Sequence, residues 1–442
     1  MKKLTIFLVC MGACLSSCIK NDDDHLLQVP DENIAIEEDG IRSYEEALNI
    51  AEEAIDKYYG EATRSGQKRR IIANEGQCIT RKATRSGETS DEPIMYIFNN
   101  EDNEGFTIVA ANENVSPIIA VTESGNYTYG EPTGVEPFDL FMEQAVEQYS
   151  LIIPTEPIIP TPMPEQQIID TVLNINNRVD PLLLTRWGQE GIFGKYCSNG
   201  MSGCNITAAV QIMAYHQYPE TITITYDGTN RLFPLSWTSM LRHTSRSQGV
   251  ELPTGEYVCY CGCAYNSIAT IMREIGARTG TEYKPDGSYT SPRNRYNLMR
   301  ALGYSSAIFA TYIDMSSYKQ IIYNNLDAGN PMIIGGSQET EPGHSWVLDG
   351  YSREELKIDY YVYNNYVITP GVQHPEYILD HTVERTNIML HFNWGWNGIC
   401  DGWYNFGCFD IRYPVEYDYN GSSVERDYAY DHHLMYNIYP NY

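Results

Sequence analysis

Apolar residues near the start of the chain recur first at helical spacing and then at strand spacing. Ser43 and Glu46 form a capping box, and the apolar face that follows ends at Gly60, a residue suited to the position after a helix. That face contains Ala47, Ile50, Ala51, Ala54, Ile55 and Tyr58. Later apolar runs predict strands over Ile94–Phe98, Phe106–Ala110 and Ile118–Val121, and a helix over Phe138–Tyr149. We therefore expect a small α+β unit, with helices on an antiparallel sheet.

A further helical pattern begins at Cys204 and stops before Pro219. Its apolar positions are Ile206, Ala209, Val210 and Met213. A thiol at the start of a helix faces unpaired N–H groups and the positive end of the helix dipole, and both favour the thiolate. The pattern therefore offers Cys204 as a nucleophile, with an ordinary buried cysteine as the alternative.

A proline-rich run marks the clearest boundary in the chain. It contains Pro154, Pro157, Pro160, Pro162 and Pro164. Such runs are stiff and extended, and they typically link domains. We predict a signal segment at 1–17, an acidic tether at 18–40, a first folded unit at 41–153, the linker at 154–170 and a large second unit at 171–442.

The N-terminus has the pattern of a secretion signal. Lys2 and Lys3 precede an apolar stretch that ends at Leu15 and is too short to span a membrane in the mature protein. It runs into Leu-Ser-Ser-Cys, ending at Cys18, which resembles a bacterial lipobox. The resemblance implies lipidation of Cys18 after cleavage just before it, and several acyl chains would anchor the protein stably. We expect a secreted lipoprotein at the outer membrane or cell surface of a diderm bacterium.

Composition narrows the classes of partner. The 442 residues include 30 Lys and Arg against 58 Asp and Glu, which gives a formal net charge of −28. This balance repels phosphate backbones and argues against general nucleic-acid binding. With 42% hydrophobic residues, the chain can build sizeable cores.

The cysteines do not indicate a metal site or a disulfide framework. Eleven are present; two belong to the signal segment, Cys18 is the lipidation candidate, and the remaining eight are unevenly spaced. Cys259, Cys261 and Cys263 alternate, but they lack C-x2-C spacing and a neighbouring histidine. We expect packed or partly paired cysteines on a strand.

A thiolate nucleophile needs a base, and histidine suits that task near neutral pH. His216 would lie about 18 Å from Cys204 along one helix, which is too far. His344 follows a Gly-rich stretch, begins a strand-like run and lies 140 positions after Cys204. His391 is the rival base, but its apolar surroundings favour a structural role.

Two further segments suit acyl transfer. Asn393 or Trp394 could support His344, because an amide orients an imidazole and an indole shields that bond from water. Gln189, fifteen positions before Cys204, could donate its side-chain amide to a developing oxyanion. The backbone N–H of Cys204 at its helix start could donate a second hydrogen bond.

In this order, the segments resemble the streptopain family of cysteine peptidases, part of the papain-like clan. The matching stretches are Trp187–Gln189, Gly203–Met213 with Tyr218-Pro219, Gly343–Gly350, and Asn393–Gly398 with Asp401-Gly402. The separation of Cys204 and His344 in sequence also falls within the roughly 130–150 residues found in papain-like peptidases. The resemblance covers about residues 90–412. It implies Cys204 as nucleophile, His344 as general base and acid, Gln189 in the oxyanion hole and Trp394 beside the histidine.

The resemblance also implies the fold class, α+β. A papain-like catalytic domain, with a helical lobe and an antiparallel β lobe, would follow a small inhibitory prodomain that blocks the cleft until its removal. It implies protein or peptide substrates and no cofactor. Asn205 departs from the family, which has a small apolar residue after the cysteine, and Cys197 is unexpected. The loop Thr281–Arg295 matches a substrate-pocket region loosely.

The sequence thus predicts a cysteine endopeptidase made as a zymogen. One alternative is a catalytically silent surface binding protein on the same fold, with its prodomain permanently seated. Another is a Cys-His acyltransferase of the transglutaminase-like kind. Peptide hydrolysis, amine incorporation or the absence of both distinguishes the three.

Overall fold

A computed structural model describes most of the chain. The described residues are 40–60, 69–81, 91–113, 115–152, 167–226, 228–244, 250–251, 257–258, 262–336, 343–363, 377–409 and 432–441. The predicted signal segment, Cys18, the tether up to residue 39, linker residues 153–166, Cys259 and Cys261 lie outside them. Within the described ranges, every helix is too short or too polar to cross a bilayer.

The helices are concentrated in two parts of the chain, one before the linker and one after it. They are α1 (Tyr44–Tyr59), α2 (Glu136–Leu151), α3 (Cys204–His216), α4 (Trp237–Thr244), α5 (Gly262–Thr279), α6 (Pro292–Ala301) and α7 (Met315–Asp327). The capping box at Ser43 and Glu46 is present, and Gly60 follows α1 with φ 64°. The helix predicted from Cys204 begins at that residue and ends at His216. Both helix predictions in the first unit are confirmed.

Strands account for most of the remaining structure. They are β1 (Gln77–Thr80), β2 (Pro93–Asn99), β3 (Phe106–Ala110), β4 (Ile118–Thr122), β5 (Gln167–Val179), β6 (Thr221–Tyr226), β7 (Thr229–Pro234), β8 (Val250–Glu251), β9 (Tyr257–Val258), β10 (Glu282–Lys284), β11 (Gly287–Tyr289), β12 (Ile308–Thr311), β13 (Met332–Gly336), β14 (His344–Tyr363), β15 (Tyr377–Asn393), β16 (Gly402–Asn405) and β17 (His433–Tyr436). The three predicted strands are β2, β3 and β4.

Eleven of the described strands form one antiparallel sheet. Its order is β1-β2-β3-β4-β16-β15-β14-β13-β17-β12, and β5 pairs with the distal half of β14. The remaining strands form the hairpins β6–β7, β8–β9 and β10–β11. The strands before the linker therefore continue into the strands after it, through the pairing of β4 with β16.

Alternating side chains give this sheet two apolar faces. Ile334, Trp346 and Leu348 point into one core, together with residues of α2 and α7. Ile333 and Val347, one position away on the same strands, point into a second core built with α3, α5 and α6. The helix α1 covers the second face further along, over β2, β3, β4 and β16. The predicted α+β fold, with a helical lobe and an antiparallel β lobe, is confirmed.

The strand β5 begins at Gln167, inside the range predicted as linker, and its backbone pairs with β14 from Val362 downward. The cysteines around Cys263 were expected to be packed or partly paired on a strand. Cys263 is disulfide-bonded, in agreement with pairing, but it lies in the first turn of α5, so the predicted strand is wrong at this residue. In the latter segment, the helical periodicity of residues 262–279 outweighs the short alternation of cysteines.

Candidate active site

The glycine before Cys204 permits the start of α3. Gly203 has φ 89°, and a Cβ at this position would lie 2.8 Å from the backbone oxygen of Ser288. Both the left-handed conformation and the close approach exclude a side chain. The small residue before the cysteine therefore fixes Cys204 as the first residue of the helix.

The strand that carries His344 runs past the thiol of Cys204. His344 is the first residue of β14, and the backbone N–H of the next residue, Ser345, donates to Cys204 Sγ. The hydroxyl of Ser345 also donates to Asn205 Oδ1 at 3.1 Å. Residues 140 positions apart are thus brought together because α3 packs against β14.

The thiol of Cys204 and the imidazole of His344 are both uncharged in this structure. Burial raises the pKa of Cys204 above its ordinary value, and this outweighs the opposing effects of the Ser345 N–H and of Arg295. Burial lowers the pKa of His344 to about 4. The backbone N–H groups of Cys204 and Asn205 at the helix start lower the pKa of the thiol as predicted, but desolvation outweighs them in the full chain.

The ring of His344 contacts a residue from before the linker. Its Nε2 lies 3.6 Å from Oε2 of Glu136, the first residue of α2. The distance is within ion-pair range, but an imidazole with a pKa of about 4 carries no charge at neutral pH. The contact therefore occupies the Nε2 side of the ring without a strong charge attraction. In the described part of the chain, no hydrogen bond joins this ring to Cys204.

Gln189 is held beside the start of α3 with a free donor. Its backbone oxygen accepts hydrogen bonds from the N–H of Ser202 at 2.8 Å and from the hydroxyl of Ser202 at 3.1 Å. Its side chain is buried, and Nε2 has no hydrogen-bond partner among the described residues. A buried, unpaired amide donor is unfavourable unless a ligand or transition state uses it.

The tryptophan beside His344 is Trp396, not Trp394. The ring centroids of His344 and Trp396 are 6.3 Å apart in an edge-to-face arrangement. Trp394 is 1% exposed, packs against Trp346 at 4.8 Å and donates from Nε1 to the hydroxyl of Tyr404 at 3.0 Å. It lies in the core beneath α2, where strand alternation directs it, whereas Trp396 belongs to the turn that follows β15. The support predicted for Trp394 therefore falls to Trp396 in this structure.

Asn393 does not orient the histidine. Its Oδ1 accepts from Gln211 Nε2 at 2.9 Å, and its Nδ2 donates to the backbone oxygen of Thr185 at 2.8 Å. Gln211 in turn accepts from the hydroxyl of Thr185 at 2.7 Å. Asn393 therefore joins β15, α3 and the segment before Gln189, which is a structural role that the sequence pattern did not reveal.

Two family models match separate parts of the chain. Residues 187–404 match the Peptidase C10 family, and residues 36–148 match the Spi protease inhibitor family. Residues 187–404 therefore form a C10 domain, the catalytic domain of a streptopain-type cysteine peptidase. It is thus a cysteine endopeptidase preceded by an inhibitor-like prodomain, the unit that contains α1, α2 and β1–β4.

Individual relatives are distant in sequence. Streptopain of Streptococcus pyogenes is 24% identical over 349 residues, which cover 73% of this chain and 76% of streptopain. The thiol protease/hemagglutinin PrtT of Porphyromonas gingivalis is 22% identical over 339 residues, which cover 71% of this chain and 34% of that protein. A fragment of prointerpain A from Prevotella intermedia is 20% identical, with a TM-score of 0.49 over 83% of this chain and all of that fragment.

His391 is a structural residue of the C10 domain. It is fully buried, with Nδ1 2.6 Å from Asp349 Oδ1 and Nε2 3.2 Å from Glu123 Oε1. Burial alone lowers its pKa, but Asp349 and Glu123 together outweigh burial and raise it to about 9. Glu123 also accepts from Arg186 Nη2 at 2.7 Å. Because Glu123 follows β4 of the prodomain, this buried network joins the two units.

Cys197 lies beside Tyr283 and interacts with Arg273. It is buried and free, and burial raises its pKa, with an opposing effect of the Tyr283 hydroxyl. The residues that sequence reasoning missed are Glu136 and Trp396. Trp396 stands in the same Trp-Gly-Trp motif as Trp394 and could be found there, whereas nothing local distinguishes Glu136 from other acidic residues at helix starts.

Proposed function

We propose that this peptidase is secreted as a lipid-anchored zymogen and that Cys204 and His344 form its catalytic dyad. One observation carries the assignment: the Ser345 hydroxyl donates to Asn205 Oδ1 at 3.1 Å, so the residues that follow His344 and Cys204 are in direct contact. The substrates are proteins or peptides, in keeping with the C10 domain.

The reaction follows from these positions. His344 accepts the thiol proton, and the sulfur attacks the carbonyl carbon of the scissile bond. The carbonyl oxygen becomes anionic and accepts hydrogen bonds from Gln189 Nε2 and from the backbone N–H of Cys204. The imidazolium returns its proton to the leaving amine, which gives an acyl-enzyme. Water, deprotonated by His344, then hydrolyses the thioester.

The prodomain keeps the enzyme latent through Glu136. The Glu136 contact at His344 Nε2 supports this, and burial lowers the pKa of His344 and raises that of Cys204 in the full chain. Removing α2 exposes the ring to solvent, restores its basicity and frees it to turn toward the thiol. Burial and then Glu190 raise the pKa of Glu136.

The latency proposal predicts faster activation of a Glu136→Ala variant. Loss of the carboxylate uncovers His344 Nε2, so self-processing should accelerate several-fold in a gel time course. Glu147→Gln, an exposed position on the same helix, is the matched control and should process like the wild type. Equal rates for Glu136→Ala and wild type would show that latency resides elsewhere.

The anchor rests on the sequence alone. Cys18 follows the predicted signal segment, so metabolic labelling with palmitate should modify the wild type but not a Cys18→Ala variant. The variant should appear in the soluble fraction, and the wild type in the outer-membrane fraction. Equal label in both proteins would refute the assignment of Cys18.

The central test compares the purified chain with Cys204→Ala and His344→Ala variants. Each is incubated with dithiothreitol and casein, and then with an epoxide inhibitor of cysteine proteases. We expect self-processing, casein cleavage and label on Cys204 only in the wild type. A Cys204→Ala protein that still cleaves would refute the nucleophile. Amine incorporation without hydrolysis would indicate acyl transfer, and inactivity after removal of the prodomain would indicate a binding protein.

A further inference from the structure

A buried polar cluster lies behind Cys204 and takes no part in the reaction described above. Arg295 of α6 donates from Nη1 to Asn205 Oδ1 at 2.5 Å, and Asn205 Nδ2 lies 4.0 Å from Cys204 Sγ. The hydroxyl of Ser345 shares Asn205 Oδ1 at 3.1 Å and lies 3.1 Å from His433 Nε2. The cluster therefore connects α6 with both α3 and β14.

Arg295 carries an uncompensated charge. Its side chain is fully buried, and neither Nε nor Nη2 has a hydrogen-bond partner among the described residues. Across the same residues, no carboxylate lies within ion-pair distance of its guanidinium. Burying an unpaired cation costs several kcal/mol. An anion that forms beside Arg295 during the reaction would offset part of this cost.

The surroundings keep a single positive charge at this point. Burial lowers the pKa of Arg295 to about 10, with an opposing effect of Cys204, so the guanidinium remains protonated at neutral pH. Burial, Arg295 and His432 together lower the pKa of His433 to about 3, so this imidazole is neutral. Gly335 makes room for the ring, because a Cβ there would lie 2.4 Å from it. Among the described side chains that interact with Arg295, Cys204 is the one that becomes an anion in the proposed reaction.

We propose that Arg295 is a positioning residue that stabilises the Cys204 thiolate from behind, with Asn205 holding the guanidinium at the start of α3. The inference rests on the proposed role of Cys204 as nucleophile. It also gives a reason for Asn205, where the family has a small apolar residue: an amide oxygen is needed to bind Arg295.

The test follows the reactivity of Cys204 rather than proteolysis. Iodoacetamide alkylation of the full chain is measured from about pH 6 to pH 11, and Cys204 and the exposed Cys78 are quantified separately by peptide mass spectrometry. The variants are Arg295→Met, which removes the charge at similar volume, and Arg295→Lys, which retains it. Arg293→Met on the same helix is the control, since the guanidinium of Arg293 lies over the rings of Phe309 and Tyr296.

We expect Arg295→Met to slow alkylation of Cys204 about tenfold at any pH below the midpoint, which corresponds to a midpoint one pH unit higher. Arg295→Lys should stay close to the wild type, and Cys78 should not change in any variant. A Cys204 profile identical in Arg295→Met and wild type would overturn the proposal. Slowing of equal size in Arg295→Lys would also overturn it, because a purely structural role predicts that result.

Two additions keep the outcomes separate. If Arg295→Met does not fold, Asn205→Asp replaces it: a carboxylate bonded to Arg295 cancels the charge, and the Cys204 midpoint must rise. Casein cleavage is measured on the same samples. Cleavage without an Arg295-dependent midpoint rejects the inference and keeps the proposed function. If the midpoint depends on Arg295 but the wild type does not cleave casein, the inference is kept and the proposed function is rejected.

Discussion

At the scale of single residues, the position of a side chain on its strand decides its role more than its chemical type does. Phe392 and Trp394 point toward α2, whereas Asn393 between them points toward α3 and is satisfied by Gln211. Trp394 and Asn393, the two residues predicted to support His344, therefore contact other residues instead. The indole that reaches the ring comes from the turn after the strand, where alternation no longer applies.

Trp396→Ala should therefore impair catalysis, while Trp394→Phe should impair folding. Loss of the Trp396 indole leaves the His344 ring without its neighbour, and we expect kcat/KM of the activated enzyme to fall on the order of 10- to 100-fold. Trp394→Phe loses the hydrogen bond to Tyr404 and should lower the free energy of unfolding by roughly 1–3 kcal/mol, with kcat/KM unchanged. If Trp394→Phe lowers kcat/KM and Trp396→Ala lowers only the stability, Trp394 is the residue that supports His344.

His391 should make the stability of the full chain depend on alkaline pH. Its pKa is raised from 6.5 to about 9, so its contribution is complete below pH 6.5 and is lost as the pH rises through 9. The loss is at most on the order of 3 kcal/mol. Urea unfolding midpoints should fall between pH 6.5 and 9 by more in the wild type than in His391→Gln.

Buried thiols such as Cys408, whose burial raises its pKa to about 12, also reduce stability at alkaline pH. Subtracting the His391→Gln midpoints from the wild-type midpoints cancels this effect, because both proteins contain the same buried thiols. His344 and His433 have lowered pKa values, and they act only below pH 6.5. Parallel curves for wild type and His391→Gln would contradict the raised pKa.

At the scale of elements, β5 is the first strand after the linker, and it is anchored in the sheet. It pairs with β14 from Gln167 opposite Val362 to Val179 opposite Tyr351. On the other side of the linker, α2 extends to Leu151. A peptidase cleft needs an extended, unpaired segment, so both elements are poor substrates in the folded chain.

The activating cut should therefore fall between residues 152 and 167. Full-length Cys204→Ala protein, mixed with a trace of active wild type, serves as the substrate, and the new N-terminus is read by Edman degradation. A new N-terminus inside 168–179 would show that β5 opens before cleavage. Protein unfolded in urea is the control, in which cuts within this strand are expected.

At the scale of the molecule, the prodomain and the C10 domain form one sheet and share one core. The backbone of β4 pairs with β16, and Ile97, Phe106 and Phe138 of the prodomain lie in the same apolar cluster as Trp346 and Leu348. The buried pair of Glu123 and Arg186 adds a charge contact across this joint. Such an interface resembles a domain interior rather than a transient contact.

A prodomain severed at the linker should therefore stay bound. After a limited cut with an added protease in the Cys204→Ala background, both fragments should elute together on size exclusion. Glu123→Gln leaves Arg186 and His391 short of one anionic partner, at a cost of about 3–5 kcal/mol, and should release the prodomain at lower urea.

The matched control for this release is Glu92→Gln. Its partner Arg81 belongs to the prodomain, and the pair is partly exposed, so little change is expected. Separate elution of the wild-type fragments without urea would show that the shared sheet does not hold the prodomain. Equal effects of the two substitutions would show that Glu123 has no particular role in retaining the prodomain.

The sequence by itself determined the local structure and the reacting groups. The helix from Cys204, the capping box at Ser43 and the strands β2, β3 and β4 follow from the spacing of apolar residues and from helix-end chemistry, which act within a few residues. The segments around Cys204, His344 and Gln189 were recognisable for the same reason, since each motif is short and continuous.

Only the tertiary structure decided which groups meet across the chain. Three contacts join elements that are far apart in sequence: Glu136 with His344, Arg295 with the start of the Cys204 helix, and Glu123 with His391. Their contacts depend on the register of β4 against β16 and on which face of the sheet each helix covers. Desolvation depends on the same packing, and it reverses the charge state that the helix start alone favours at Cys204.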